Sequence, residues 1–230
     1  MSEPLLSRIG SVSAIVGGGL AIVVNILHPR TAGLEQPENW LAMVAASGIW
    51  LGDHVAIMFP NLLLTGGLIA IAHSITKERG AAWAQLGYAG AVVSAALLAV
   101  WIAVDGIATK TVADAWASAP AAEKTAAFRL GHAMLRIDLA LFSVWLLVWG
   151  ITVAVYGLAV TTSRVYPRWL GVVAILGGLG AALVALGQAL TGPSYLMTNV
   201  LVGIFAFILT TWVMVMGVFL WRQGSSPSIG

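Results

Sequence analysis

Six stretches of this chain are apolar for long enough to cross a lipid bilayer, and no other feature restricts its fold as tightly. A helix needs about 20 residues to span a hydrocarbon core about 30 Å thick, at about 1.5 Å per residue. The stretches lie near 9–28, 50–75, 82–108, 136–161, 167–190 and 195–221. Inside a bilayer each backbone N–H and C=O must be bonded within its own segment, so these stretches are expected to be helices. Composition agrees: 60% of the 230 residues are hydrophobic and 9% are charged, against about 25% charged in soluble domains. The expected fold is all-α, an integral membrane bundle of six transmembrane helices forming one domain over 1–221, with a short cytoplasmic tail at 222–230. The run from Ile9 to Leu27 is long for a signal-peptide core and lacks a convincing small-residue cleavage site, so it reads as a retained helix.

Charge sets the expected orientation. Six spans leave both termini on one side, and that side holds Arg8, Lys77, Arg79, Arg164, Arg168 and Arg222 against Glu3 and Glu78, a net +4, while the other side carries −2. The positive-inside rule then places both termini in the cytoplasm of a cell-membrane protein. The overall charge of +2 is spread without a basic cluster, which argues against nucleic acid as a partner. The lipid bilayer is the implied environment, and an oligomer is left open. The chain has no cysteine, which excludes disulfides, thiolate metal ligands, iron–sulfur clusters and thiol nucleophiles.

Two segments on the outer side are more than loops. PENWLAMVAASG (37–48) and ADAWASAPAAEKTAAFRLG (113–131) are rich in helix formers, with Pro37 and Pro120 placed where a helix could begin, and predict short helices lying at the interface. Similar orders of Gly-Leu, basic turn, Trp and Gly near 65–93 and 153–178 suggest three outward-pointing hairpins, pairing spans 1 with 2, 3 with 4 and 5 with 6. Glycine-rich stretches at 17–19 and 177–180 sit within spans, where small residues let helices approach closely, and are not phosphate loops.

The ionisable and amide side chains within the spans share one depth. Counted from an anchor at the cytoplasmic end of each span, His28, His54, Asp105, Asp138, Gln188 and Asn199 lie 20 to 25 residues along, about 30 to 38 Å. Helical spacing extends this ring inward: His54, Asn61 and Thr65 share a face, with Pro60 expected to kink the helix, as do Ser94, Trp101 and Asp105, and as do Asp138, Trp145 and Trp149. The candidate catalytic residues are therefore Asp53, His54, Asp105, His132 and Asp138. The candidate substrate-binding residues are Asn61, Trp101, Trp145, Trp149, Gln188 and Asn199. Acids within a span are costly and usually face a cavity or a partner. His28 and His73 are read as ordinary interfacial residues, and Gln188 and Asn199 also suit helix–helix hydrogen bonds. Trp40, Trp50, Trp83, Trp169 and Trp221 are placed for aromatic belts.

The stretches VDGIATKTVADAWASAP (104–120) and YPRWLGVVAILGGLG (166–180), with LHP at 27–29, resemble a loose group of small bacterial polytopic membrane proteins with no assigned chemistry. The resemblance implies a single compact bundle and no reaction.

Four functions fit this pattern. The first is binding of a small lipophilic molecule, or acid–base chemistry on it, in an outer-leaflet Asp/His pocket lined by Trp. A carboxyl held away from water can keep and donate a proton, and tryptophan faces can stabilise a cation. In size, helical content and intramembrane acids the chain is similar to integral-membrane terpenoid cyclases and isomerases, although it carries no motif of theirs. No cofactor or metal is required by that reading. The second is a metal or haem protein using His28, His54 and His132 with the acids. His132 and Asp138 are about 240° apart on a regular helix, so joint ligation would need a bend. A proton-coupled transporter is disfavoured by the lack of charge at the midplane. A structural or accessory subunit, ordered by its polar ring, is the fourth.

Overall fold

The computed structural model describes residues 3–29 and 36–224. Most of the expected tail lies outside the described residues, as does the 30–35 connection. Among the described residues the chain forms eight α-helices and two π-helical segments and no strand. The helices are α1 (Glu3–Leu27), α2 (Pro37–Ala46), α3 (Trp50–Ser74), α4 (Ala81–Ile102), α5 (Thr109–Ser118), α6 (Lys124–Thr162), α7 (Arg168–Thr191) and α8 (Val202–Gly224). The π segments are Ala103–Ala108, joining α4 to α5, and Leu196–Leu201, leading into α8. Six helical runs are long and apolar enough to cross a membrane. The protein is a polytopic, all-α membrane protein.

The spans form a ring in chain order. Helix α1 packs on α3, α3 on α4, α4 on α6, α6 on α7, α7 on α8, and α8 closes back onto α1. The most extensive of these contacts, α6 with α7, joins two of the expected hairpins rather than lying within one. Small residues explain it. A Cβ on Gly150 would lie 2.5 Å from the Gly178 carbonyl oxygen, and one on Gly157 would lie 2.6 Å from that of Gly171. Two glycine pairs seven residues apart thus let the antiparallel backbones touch and fix their register. Ala14 of α1 is likewise wedged between Gly67 of α3 and Gly217 of α8, and Ser11 Oγ donates to the Gly217 carbonyl at 2.7 Å. The faces turned away from the ring are apolar: Leu176, Leu183 and Leu190 form a stripe along α7, each about two-thirds exposed or more.

The far end of the bundle differs from the expectation for 113–131. This segment is not a separate interfacial helix. Helix α4 runs through the π segment into α5 as one 38-residue stretch, the chain reverses at 119–123, and α6 then runs for 39 residues. Each is about 57 Å long at helical rise, well beyond the bilayer core. The excess of this hairpin packs on α2 as a small apolar cap containing Trp40, Leu41, Val44, Ala113 and Leu135. Segment 37–46 is a discrete helix with Pro37 in its first turn, as expected.

At the end nearest the termini the ring is solid. Ile71, Ile75, Ala159, Val160, Met216 and Leu220 are fully buried there. Tyr156 Oη donates to the Leu68 carbonyl at 2.9 Å, and Trp212 Nε1 donates to that of Leu170 at 2.8 Å. Towards the other end the spans diverge around a cavity.

Candidate ligand-binding site

The cavity has a volume of about 700 Å³ and is lined by all six spans, both π segments and Trp40 of the cap. Its lower wall is aromatic. Trp101 stacks on Trp145 with ring centroids 5.3 Å apart, Phe142 lies against both, and Trp149 continues the wall a turn below. These residues come from α4 and α6, at the spacings that put Trp101 on the face of Asp105 and Trp145 and Trp149 on the face of Asp138.

Two carboxyls face the cavity from neighbouring helices. Asp138, 7% exposed, accepts a hydrogen bond from Trp101 Nε1 at 2.8 Å. Asp105, 6% exposed, sits in the first π segment and is near enough for its charge to act on Asp138. A π turn carries one residue more than an α turn, which redirects the side chains around it and is frequent at functional sites. Here it brings Gly106 against His54: a Cβ on Gly106 would lie 2.5 Å from the His54 Cβ, so only glycine permits this approach.

Behind Asp105 stands a histidine network. His54 is fully buried, its ring stacked on Trp50 with centroids 4.4 Å apart. Its Nδ1 lies 2.7 Å from the Trp50 carbonyl oxygen and its Nε2 lies 3.1 Å from Asp105 Oδ2. A carbonyl can only accept, so Nδ1 carries a proton and Nε2 is the nitrogen that faces the acid. Trp50 Nε1 donates to the Asp105 main-chain carbonyl at 3.0 Å, holding the π segment against α3. His28, just past α1, pairs with Asp53 at 2.6 Å and meets the His54 ring edge-on at 4.9 Å between centroids. That approach leaves no gap in which these two rings could bracket a haem. His28, Asp53 and His54 each present a potential ligand atom within 4.8 Å of the others.

The second π segment closes the opposite wall. Thr198 Oγ1 donates to Gln188 Oε1 at 3.0 Å, and Gln188 Nε2 donates to Ser143 Oγ at 3.1 Å. The buried Nδ2 of Asn199, whose residue lines the cavity, has no partner among the described residues. An amide donor left unsatisfied costs about 1–3 kcal/mol, a loss that an acceptor on a ligand would recover.

The residues expected to meet are placed as follows. Asp105, Asp138, Asn61, Trp101, Trp145, Trp149 and Asn199 line the cavity. His54 and Asp53 support its wall through Asp105 and His28, and Gln188 does so through Thr198 and Ser143. Asn61 donates to the Ile57 carbonyl at 2.8 Å, beside Pro60, and Thr65 donates to that of Asn61, so both donors serve their own helix. Helix α3 is continuous through Pro60. His132 is not brought to the group: it stacks on Phe128, one turn earlier on α6, and lines no part of the cavity.

Sequence reasoning placed His28 at the interface and missed its pairing with Asp53. It also put Trp40 and Trp50 in an aromatic belt. Both are 1% exposed, one in the cap and one beneath His54. The signal for Trp50 was its i, i+4 spacing to His54, which places both on one face. Trp83, Trp169 and Trp221 are exposed, as belt residues are.

Comparison with protein-family models, curated proteins and solved structures gave no match. What the geometry defines is a class: a six-span membrane protein with a buried acid–aromatic chamber at the end opposite its termini.

Proposed function

We propose that this protein binds a small lipophilic molecule bearing a hydrogen-bond-accepting group in the chamber and acts on it by acid–base chemistry. The carrying observation is the Asp138 carboxyl, buried in a cavity of about 700 Å³ and oriented by Trp101 Nε1 at 2.8 Å. With one oxygen so held, the other is the atom available to exchange a proton with the ligand, and the Trp101, Trp145 and Trp149 faces stabilise positive charge that develops there. The Asn199 amide, whose Nδ2 is buried and unpartnered among the described residues, supplies the donor for the ligand's polar group by turning into the chamber. In this reading the chemistry is an isomerisation or cyclisation, which needs no co-reactant beyond a returned proton.

The route of arrival supports a lipophilic ligand. The exposed residues of the cavity lining include Ile26 on α1 and Ile204 and Phe207 on α8. These two helices touch at Gly18 and Met214, and beyond that level both line the cavity; in this reading the chamber opens sideways between them, towards lipid. With both termini cytoplasmic, as the basic turns favour, the opening belongs to the outer leaflet of the cell membrane.

The test uses protein purified with native lipid into nanodiscs, with bound and converted molecules identified by mass spectrometry. Gly203 lines the cavity and a Cβ there would meet nothing within 4 Å, so Gly203→Phe fills space without disturbing the helix. The wild type is expected to retain and convert a specific non-bilayer molecule, Gly203→Phe to lose it, and Asp138→Asn to lose conversion. Identical lipid complements in all three would instead support the accessory-subunit reading, in which the satisfied carboxyls only order the bundle.

A further inference from the structure

Two of the chain's four histidines meet beside the chamber, in company with two acids and no cysteine. His54 is turned so that Nδ1 is spent on the Trp50 carbonyl and Nε2 is left to face Asp105. Zinc-bound histidines are oriented in the same way, by a carbonyl or carboxylate on the nitrogen that does not ligate. The Trp50 ring covers one face of the imidazole, and Gly106 allows the π segment to close over it. The Asp53 side chain is 8% exposed and that of His28 29% exposed, so the group is sheltered yet reachable from the chamber, which His28 lines.

We propose that His28, Asp53 and His54 bind one divalent first-row transition-metal ion, zinc in the first instance, in the wall of the chamber. Their ligand atoms already lie within 4.8 Å of one another. Donors on a tetrahedral ion with bonds of about 2.0–2.1 Å sit about 3.4 Å apart, so the ion is seated when His28 Nδ1 and Asp53 Oδ2 open from 2.6 Å and the wider separations, at most 4.8 Å, close to about that distance. Two imidazoles and a carboxylate suit zinc or iron(II) and disfavour calcium or magnesium, which take oxygen. Asp105 Oδ2, 3.1 Å from His54 Nε2, holds the direction that an ion on that nitrogen would take, so metal binding displaces this contact. The site goes beyond the acid–base reading, which rests on Asp138 and holds with or without an ion here.

Tag-free protein in detergent is stripped with EDTA, dialysed against zinc chloride and assayed by elemental analysis, with cobalt(II) absorption as an optical probe of coordination. We expect about one zinc per chain and a tetrahedral cobalt spectrum. His28→Gln and Asp53→Asn should each weaken binding by at least about tenfold, the lower end of the loss known for outer-shell partners alone. Both replace partly sheltered side chains by near isosteres, and elution with the wild type in size-exclusion chromatography confirms that they fold. Asp138→Asn and Gly203→Phe should bind zinc as the wild type does, so failure of the lipophilic-ligand reading leaves this result unchanged. Wild-type protein that takes up no zinc, or His28→Gln and Asp53→Asn variants that retain full affinity, would overturn the site in favour of two hydrogen-bonded His–Asp pairs.

Discussion

Gly106 carries no side chain, and the approach of the first π segment to His54 depends on that. Gly106→Ala would place a Cβ 2.5 Å from the His54 Cβ, a rigid stem that cannot swing away. The expected cost is about 1–3 kcal/mol of overpacking. Thermal unfolding in detergent should register it, together with reduced zinc uptake although no ligand atom is changed. Trp50→Phe keeps most of the ring stacked on His54 but removes the N–H that satisfies the Asp105 carbonyl. Leaving that carbonyl without its donor should cost about 1–3 kcal/mol in the same assay. At this scale the sequence was partly legible. Depth along each span follows from a fixed rise per residue, and counting alone put His54, Asp105 and Asp138 at one level. Rotation about the span was harder, because hydropathy does not distinguish a tryptophan turned inward from one turned to the headgroups, and Trp50 was read the wrong way. Nor did it show that His132 would settle on Phe128 instead of the cavity.

Among the elements, the α6–α7 pair bears the most on stability. Gly150 and Gly178 meet backbone to backbone, so Gly178→Leu has no space to occupy and should separate the helices. A fall in melting temperature and aggregation on size-exclusion chromatography are the expected outcome, whereas Gly19→Ala, whose Cβ would meet nothing within 4 Å, should leave both unchanged. The sequence showed glycines inside apolar spans and their meaning for close packing, but not which helix each would face. It also suggested a separate helix over 113–131. The helix-forming residues there were read correctly, but the π segment lets α4 continue into α5, and only the turn at 119–123 breaks the run. A π turn has no composition of its own, since it depends on tertiary contacts such as those of Trp50 and His54 with Asp105.

Considered whole, the molecule is a ring sealed at the end that holds its termini and hollow at the other. Hydropathy predicted the six spans, because the bilayer imposes length and polarity so strongly, but not the extension of the third to Ser118 or the start of the fourth at Lys124, where the helices run on beyond the bilayer into the cap. The cysteine-free sequence allows a direct test of sidedness. Single cysteines at Thr76, in an exposed turn between α3 and α4, and at Ala121, in the exposed reversal between α5 and α6, should react with a membrane-impermeant maleimide from opposite faces. Labelling of Ala121→Cys in intact cells, with Thr76→Cys labelled only after lysis, is the outcome that the proposed orientation requires.

A lateral opening between α1 and α8, as proposed, would bear on how tightly this protein must hold a ligand. A molecule reaching the chamber sideways is drawn from a film a few nanometres thick, in which greasy compounds are concentrated far above their level in water. Modest grip is then enough to fill the chamber, and release returns the product to the same film without a crossing. Selection falls to the acids, the Asn199 amide and the aromatic wall, since everything that arrives is already oily.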